Sequence, residues 1–335
     1  MLIWPKKKAL ILKTHSPDKI LNIMPSARSF TVKGAPLIAV PHRTLETQLL
    51  RNLGYDAPAP IRTYYQWPGR FKPFHAQKEA AAFLSMHRRA FNLSELGTGK
   101  SLASLWAYDY LRSMGQMNKC LVISPLSTLE RTWADELFHH FPHLTYTVLY
   151  GSKEKRIKLL KEDFDVYIIN HDGVGIIEPH LVTRTDIDLV IVDEVAQCAR
   201  NASTTRWKKI NLVVNRHREP RACWGMSGTP TPNAPTDAWA QCRLIVPEAV
   251  PPYFNRFKGT VMKQLTQFKW EAKAESTEIV RKIMQPSVRF TRDECLDLPP
   301  LMYETRAVTL TPEQNKAYKE MVAKLRTEAE HGEIT

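Results

Sequence analysis

Ser94-Glu95-Leu96-Gly97-Thr98-Gly99-Lys100-Ser101 decides how this 335-residue chain is read. The apolar run ending Ala90-Phe91-Asn92-Leu93 precedes it and predicts a buried strand. Leu102, Leu105, Trp106 and Tyr110 follow at helical spacing. Strand, glycine-containing loop, Lys-Ser and helix are the layout of a phosphate-binding loop. Gly97 and Gly99 let the backbone curl so that successive N–H groups face inward, the cradle a polyphosphate needs. The helix that follows adds its positive N-terminal end. The predicted nucleotide contacts are Gly97, Thr98, Gly99, Lys100 and Ser101, with Lys100 on the terminal phosphates and the Ser101 hydroxyl a ligand for Mg²⁺. Ser94 stands where the general pattern has its first glycine, so the pattern is partly met. The plain alternative is a turn that happens to contain glycines.

Outward from this loop, strands and helices alternate from residue 74. Helix Ala76–Met86 precedes the loop. Strand Cys120–Ser124, helix Leu126–His139, strand Tyr146–Tyr150 and helix 153–162 follow it. Strands Val166–Asn170, Leu189–Asp193 and Ala222–Met226 continue the series. The pattern predicts a parallel sheet with helices on both faces. Ligands of such sheets sit at the carboxyl ends of the strands. The informative residues fall there: Ser124-Pro125, Asn170-His171-Asp172, Asp193-Glu194 and Ser227-Gly228-Thr229-Pro230. Asp193 and Glu194 close the buried run Leu-Val-Ile-Val, and acids there need a cation or a polar partner. Beside a phosphate loop, Asp193 is a metal ligand and Glu194 the acid that orients or deprotonates water. An exposed acidic turn is the alternative for the pair taken alone.

Composition sets the bounds. Hydrophobic residues make up 43% and charged residues 24%, an ordinary globular balance, and the length suits two domains or one large one with extensions. The five cysteines contain no C-x-x-C pair, which argues for reduced thiols and a cytoplasmic chain. No run is long enough for a membrane span, and the lysines at 6–8 follow the first apolar residues, unlike a secretory signal. The net charge is +13. Residues 1–72 carry 12 lysines and arginines against 3 acids, a net of +9. A polyanion, nucleic acid before membrane, is the natural partner; a merely solvated basic surface is the alternative.

Residues 1–54 read as a small α+β unit, with strands at Ala9–Lys13, Ser29–Lys33 and Pro36–Val40 and a helix through Leu45, Leu49, Leu50 and Leu53. Residues 55–73 are a connector with four prolines, in which Tyr64, Tyr65, Trp67 and Phe71 alternate with Arg62, Arg70 and Lys72. These aromatics either stack bases or anchor an extended linker by packing.

Taken together, Gly97–Ser101, Asp193-Glu194 and Ser227-Gly228-Thr229-Pro230 resemble superfamily-two helicases, and within them the Swi/Snf-type translocase branch. Phe71-Lys72-Pro73-Phe74-His75-Ala76-Gln77 resembles the adenine-recognition segment, with Gln77 the matching glutamine. Leu121–Leu126 with Trp133, and Asn170-His171-Asp172-Gly173, resemble the nucleic-acid-contacting motifs. Gly228–Asn233 with Trp239 resembles the coupling motif. Phe290–Asp293, Leu298-Pro299-Pro300 and Leu310–Gln314 resemble the crossing from first to second motor domain. The acidic box reads Asp193-Glu194-Val195-Ala196, without the common final histidine, which puts a polar link from there to Ser227–Thr229 in question.

The resemblance implies an α/β fold: a RecA-like parallel sheet sandwiched by helices, with a small N-terminal α+β extension. It implies domains at 1–54, 55–73 and 74–300, with 301–335 opening a second motor domain whose remainder, including the arginine fingers, would lie beyond this chain. The implied activity is that of an ATP- and Mg²⁺-dependent DNA helicase or translocase, on duplex DNA without sequence preference. Lys100, Asp193 and Glu194 would be catalytic and Gln77 a nucleotide contact. Ser227, Gly228 and Thr229 would couple, and Ser124, Pro125, Asn170 and His171 would touch nucleic acid. A nucleic-acid-binding module with little turnover of its own is the alternative. A nuclease or restriction subunit would need a nuclease cluster, which this sequence lacks.

Overall fold

The computed structural model describes residues 1–14, 16–32, 34–216, 220–295 and 304–330, with side chains of the last helix described to residue 324. Contacts divide the chain into two units, 1–296 and 297–335.

The first unit opens with strands β1 (Leu2–Trp4), β2 (Ala9–Leu12), β3 (Arg28–Val32) and β4 (Ala35–Pro41), and helices α1 (Pro17–Ile23) and α2 (Thr44–Asn52). The strands form an antiparallel sheet in the order β1-β2-β4-β3. Leu10, Leu12, Ile20, Met24, Ile38, Val40 and Leu50 close a core of their own beneath it. β1 and α1 were not expected. β1 leaves Leu2 72% exposed, and α1 buries only Ile20, so neither carries the apolar period that would announce it. The last residue of the expected strand Ser29–Lys33 lies outside the described residues.

The connector holds helix α3 (Ile61–Tyr64) and leads to α4 (His75–Ser85). Its aromatics serve as packing anchors. Tyr65 donates to Asp109 Oδ2 at 2.5 Å, and its ring meets Trp67, which meets Trp106. The Trp106 indole donates to the Pro68 carbonyl at 2.8 Å. Phe71 stays 64% exposed.

The main sheet contains β5 (Arg89–Asn92), β6 (Lys119–Ser124), β7 (Tyr146–Val148), β8 (Val166–Asn170), β9 (Ile187–Val192) and β10 (Ala222–Met226). A separate hairpin, β11 (Met262–Gln264) with β12 (Trp270–Ala272), precedes a seventh strand, β13 (Ser287–Val288). The order is β13-β5-β10-β9-β6-β8-β7, parallel throughout. The sequence implies six of these strands; β13 is two residues long and has no pattern of its own. Helices α5 (Lys100–Ser113), α6 (Asp135–His140), α7 (Lys153–Lys161), α8 (His171–Thr183), α9 (Val195–Cys198), α10 (Thr205–Asn215) and α11 (Asp237–Ile245) complete the sandwich.

Alternation along the strands builds two cores from one sheet. Cys120, Val122, Leu189 and Ile191 point to the α4–α5 side, with Trp106, Trp133 and Trp224. Leu121, Ile123, Val190 and Val192 point to the other side, with Ile177, Ile210, Val213 and Leu244. Burial of each such side chain is worth about 1.5–3 kcal/mol, and burial on both faces explains why these strands read as unbroken apolar runs. The segment expected as one helix, Leu126–His139, is a 3₁₀ turn, a π-helical stretch Leu129–Ala134 and then α6. Helices α12 (Phe254–Val261), α13 (Ser276–Ile283) and α14 (Arg292–Cys295) end the unit. No helix among the described residues is long and apolar enough to cross a membrane.

The second unit holds an extended stretch from 304 and helix α15 (Pro312–Glu330). Its start is a capping box: Gln314 N–H donates to Thr311 Oγ1 at 3.2 Å, and Thr311 N–H donates to Gln314 Oε1 at 3.1 Å. Leu298-Pro299-Pro300 lies outside the described residues.

Candidate nucleotide site at the carboxyl edge of the sheet

The strand order sets the site. Along the carboxyl edge, the phosphate loop ends β5, Ser227-Gly228-Thr229 follows β10, and Asp193-Glu194 follows β9. Next come Ser124 on β6 and Asn170 on β8. Neighbouring strands lie about 4.8 Å apart, so the loop lysine and the acid pair, two strands apart, face one crevice.

In the loop, Gly97 (φ 84°) and Gly99 (φ 77°) adopt the left-handed conformation that the curl requires. A Cβ on Gly99 would fall 2.0 Å from Gln77 Nε2, so Gln77 lies directly against the loop. Gln77 is itself fixed, its Oε1 accepting the Phe74 N–H at 2.9 Å. Lys100 begins α5 and is 9% exposed, with Nζ donating to the Glu95 carbonyl at 3.0 Å. Burial lowers its pKa, against the raising effect of Glu194, Asp193 and Glu95. Thr98 Oγ1 donates to the same carbonyl at 2.8 Å, and Ser101 follows, partly exposed.

Ser94, in place of the first glycine, has a task of its own. It is buried, and its Oγ accepts the Phe290 N–H at 3.1 Å. Leu93 and Glu95 N–H donate to the Val288 and Phe290 carbonyls at 2.8 and 3.0 Å, and Arg292 N–H donates to Glu95 Oε2 at 3.1 Å. The segment beyond β13 is thereby laced to the loop.

Asp193 is buried, with both carboxylate oxygens engaged. The Trp133 indole donates to Oδ2 at 3.0 Å, and Glu194 N–H donates to Oδ1 at 3.0 Å. Burial raises the Asp193 pKa, while these two donors and Lys100 oppose the rise. Glu194 is raised by burial and by Asp193, again opposed by Lys100. Glu194 also sits at φ 47°, a left-handed backbone that costs a non-glycine residue about 1–2 kcal/mol. Such strain concentrates at working sites.

His171, implied as a nucleic-acid contact, is 6% exposed, and its Nε2–H donates to the Asp193 carbonyl at 2.8 Å. Burial lowers its pKa. Asn170 Oδ1 accepts from Arg156 at 3.3 Å, and Ser124 is buried behind Pro125. Ala196, where a histidine is common, is buried, and Ser227–Thr229 lean elsewhere. A Cβ on Gly228 would meet Leu96 at 3.4 Å, and Ser227 N–H donates to the Asn92 carbonyl at 3.2 Å. Gln241 of α11 donates to the Pro230 carbonyl at 2.6 Å. Contact therefore runs from Ser227–Pro230 to the phosphate loop.

Sequence reasoning did not find the supporting roles of Trp133, His171 and Gln241. Each acts across strands or from a following helix, and no local spacing announces that.

The ISWI chromatin-remodeling complex ATPase ISW2 of Saccharomyces cerevisiae is 28% identical over 174 residues, covering 49% of this chain and 15% of that protein. Protein p41 of Acyrthosiphon pisum secondary endosymbiont phage 1 is 27% identical over 155 residues, covering 45% of this chain and 34% of its own length. The Sulfolobus solfataricus SWI2/SNF2 ATPase core solved in complex with dsDNA superposes with a TM-score of 0.54 at 20% identity, over 80% of this chain and 55% of that one. That likeness establishes the same RecA-like architecture. The chain spans well under two thirds of each of these proteins. A family model for the SNF2-related domain matches residues 77–334, and with the loop, acid pair and Ser227–Thr229 assembled on one sheet edge, the chain belongs to the SNF2-related domain family.

Proposed function

We propose that this chain is the first RecA-like domain of an ATP-driven motor that translocates on duplex DNA. The observation that carries the reading is the meeting of Lys100, the Asp193-Glu194 pair and Ser227–Thr229 on three successive strands of one sheet edge. In this reading Gln77 selects the base, and the loop N–H groups with Lys100 hold the polyphosphate. Ser101 and Asp193 suit Mg²⁺, which takes one or two protein oxygens along with substrate phosphates rather than an all-protein cage. When bound, that ion neutralises charge on the phosphates.

Glu194 orients the attacking water and accepts its proton. Burial and Asp193 raise its pKa, which strengthens it as a base. Ser227, Gly228 and Thr229 transmit the state of the loop they lean on. The DNA side of the same edge is formed by Ser124, Pro125 and Asn170, with His171 acting from beneath through Asp193. Contacts of this kind go to phosphates, so binding is sequence-tolerant and salt-sensitive.

The test is duplex-stimulated ATP turnover in a form of the protein that carries both motor domains. Glu194→Gln keeps the shape but cannot take a proton; we expect ATP binding to persist and turnover to vanish. Undiminished hydrolysis would move the base elsewhere.

Trp133→Phe tests the support beneath Asp193. The ring stays and the N–H goes, leaving Asp193 one donor poorer and its carboxyl higher in pKa. Loss of such an orienting partner typically weakens metal binding about 10–100-fold. A Mg²⁺ titration of nucleotide binding should register this, and an unshifted curve would make Trp133 a packing residue only.

A further inference from the structure

A cavity of about 830 Å³ opens where the N-terminal sheet meets the far end of α5. Tyr110 and Met114 of that end lie in its wall. α5 begins at Lys100 and its residues 100–113 span about 21 Å, so the cavity is a helix length from the phosphate loop. It lies at the amino-terminal edge of the strands, and apart from Tyr110, Met114 and Gln116 its lining comes from residues 1–76, outside the family match.

Its lining is cationic. Lys6, Lys7 and Lys8 come from the β1–β2 turn, Arg28 from β3 and Arg43 from the start of α2. All five are exposed. No carboxylate lines the cavity, and among the described residues none of the five forms a salt bridge. The nearby buried acid, Glu46, accepts from Ser26 at 3.1 Å. Elsewhere on the domain some cations do face carboxylates: Arg112 faces Asp165, Lys119 faces Asp163, Arg206 faces Asp172 and Lys209 faces Glu178.

The lysine turn is also held in place. Lys8 takes φ 46°, a left-handed conformation costing about 1–2 kcal/mol outside glycine. Its N–H donates to the Pro5 carbonyl at 3.0 Å, and its own carbonyl accepts the His42 N–H at 2.7 Å. Lys8 Nζ stands 6.0 Å from the centre of the Tyr64 ring, whose hydroxyl bonds His42 Nδ1 at 3.0 Å. Like charges gathered on a fixed turn repel each other, and a polyanion relieves that repulsion. The charges are spread along a wall from three elements. Arg28 Nη1 donates to the Pro25 and Ala27 carbonyls at 2.7 and 2.9 Å, which fixes its guanidinium at the wall.

We propose that this cavity is a second nucleic-acid site, which grips the phosphodiester backbone of duplex DNA away from the motor edge. The inference rests on the DNA-motor reading above. Lysines as point charges read no bases, so the grip is sequence-tolerant.

The test uses the full chain and a short fluorescent duplex of mixed sequence, titrated across salt. In Lys6→Ala/Lys7→Ala/Arg43→Ala, three lost phosphate contacts should flatten the log–log salt slope by up to about 2.7, at about 0.9 each. Affinity at low salt should fall more than about tenfold, while Lys6→Arg/Lys7→Arg/Arg43→Lys keeps both. Single Lys7→Glu, on an exposed turn, gives the same direction should the triple variant fold poorly. An unchanged slope in these variants overturns the proposal, as does lost affinity with the slope intact. Tripolyphosphate is the second probe. If wild type binds it and the triple variant does not, while both bind duplex alike, the cavity serves a small polyphosphate and the proposal fails. A wild-type chain that binds no duplex at any salt sinks the DNA-motor reading itself.

Discussion

Lys100→Ala is expected to lower Mg-ATP affinity by about 10–150-fold while leaving the fold intact. The magnitude follows from losing a charge-assisted bond to phosphate, worth about 1.5–3 kcal/mol at about 1.4 kcal/mol per tenfold. The stability side follows from the loop. The carbonyl of Glu95, which accepts from Lys100 Nζ, also accepts from Thr98 Oγ1 at 2.8 Å, so truncation leaves it partnered. Removing the ammonium also leaves Asp193 and Glu194 facing each other without their nearby cation. Both carboxyl pKa values, already raised by burial, then rise further. The variant should therefore lose more affinity as pH falls than wild type does, because protonated acids hold no metal. Calorimetry of Mg-ATP binding at two pH values, with a melting curve, checks all three parts. Equal binding by wild type and variant would refute the phosphate-loop assignment.

How much of this was legible in the sequence depends on the range of the interaction. The loop, the acid pair and the parallel sheet are local statements: glycines at left-handed positions, apolar runs buried on both faces, and polar residues where each run stops. Residues 94–101, 193–194 and 227–229 could be read because each motif sits within a few residues of its strand end. What could not be read is carried by contacts across the sheet. Trp133 reaches Asp193 from the connection after β6, and it does so from a π-helical stretch that the sequence presents as ordinary helix. π turns recur at functional positions because they shift the phase of the side chains that follow. The resemblance implies a nucleic-acid contact at His171; that its ring turns inward to the Asp193 carbonyl is not legible from the motif. Ser94 looked like a defect in the glycine pattern. In the fold its hydroxyl accepts from Phe290, nearly two hundred residues away in sequence. The basic excess of residues 1–72 was plain, but its concentration around one cavity depends on how β1, β3 and α2 meet.

The other large expected effect concerns the charge that the site must meet during phosphoryl transfer. The chemistry spreads negative charge over the transferred phosphoryl group, and catalysis comes mostly from positioning and charge stabilisation. The cation acting on both Asp193 and Glu194 is Lys100, itself lowered in pKa by burial and already answering two carboxylates and a carbonyl. Arg289 faces Glu95 at 3.8 Å and Arg292 bonds the same carboxylate through its backbone, so both are tied to the rim of the loop. Neither Arg292 nor Arg306 stands at a position that matches the family's finger motif, and among the described residues no second cation acts on both Asp193 and Glu194. An arginine finger supplies about 10³–10⁵ in rate. The 335 residues as a free polypeptide should therefore bind ATP weakly and turn it over very slowly, with or without duplex. Joining them to a second RecA-like domain that brings its arginine to this edge should raise duplex-stimulated turnover by about 10³-fold or more. Steady-state hydrolysis measured on both forms, with sedimentation to establish that the shorter one is monomeric, distinguishes the cases. Vigorous duplex-stimulated hydrolysis by the monomeric 335-residue polypeptide would mean that one of its own arginines reaches the crevice.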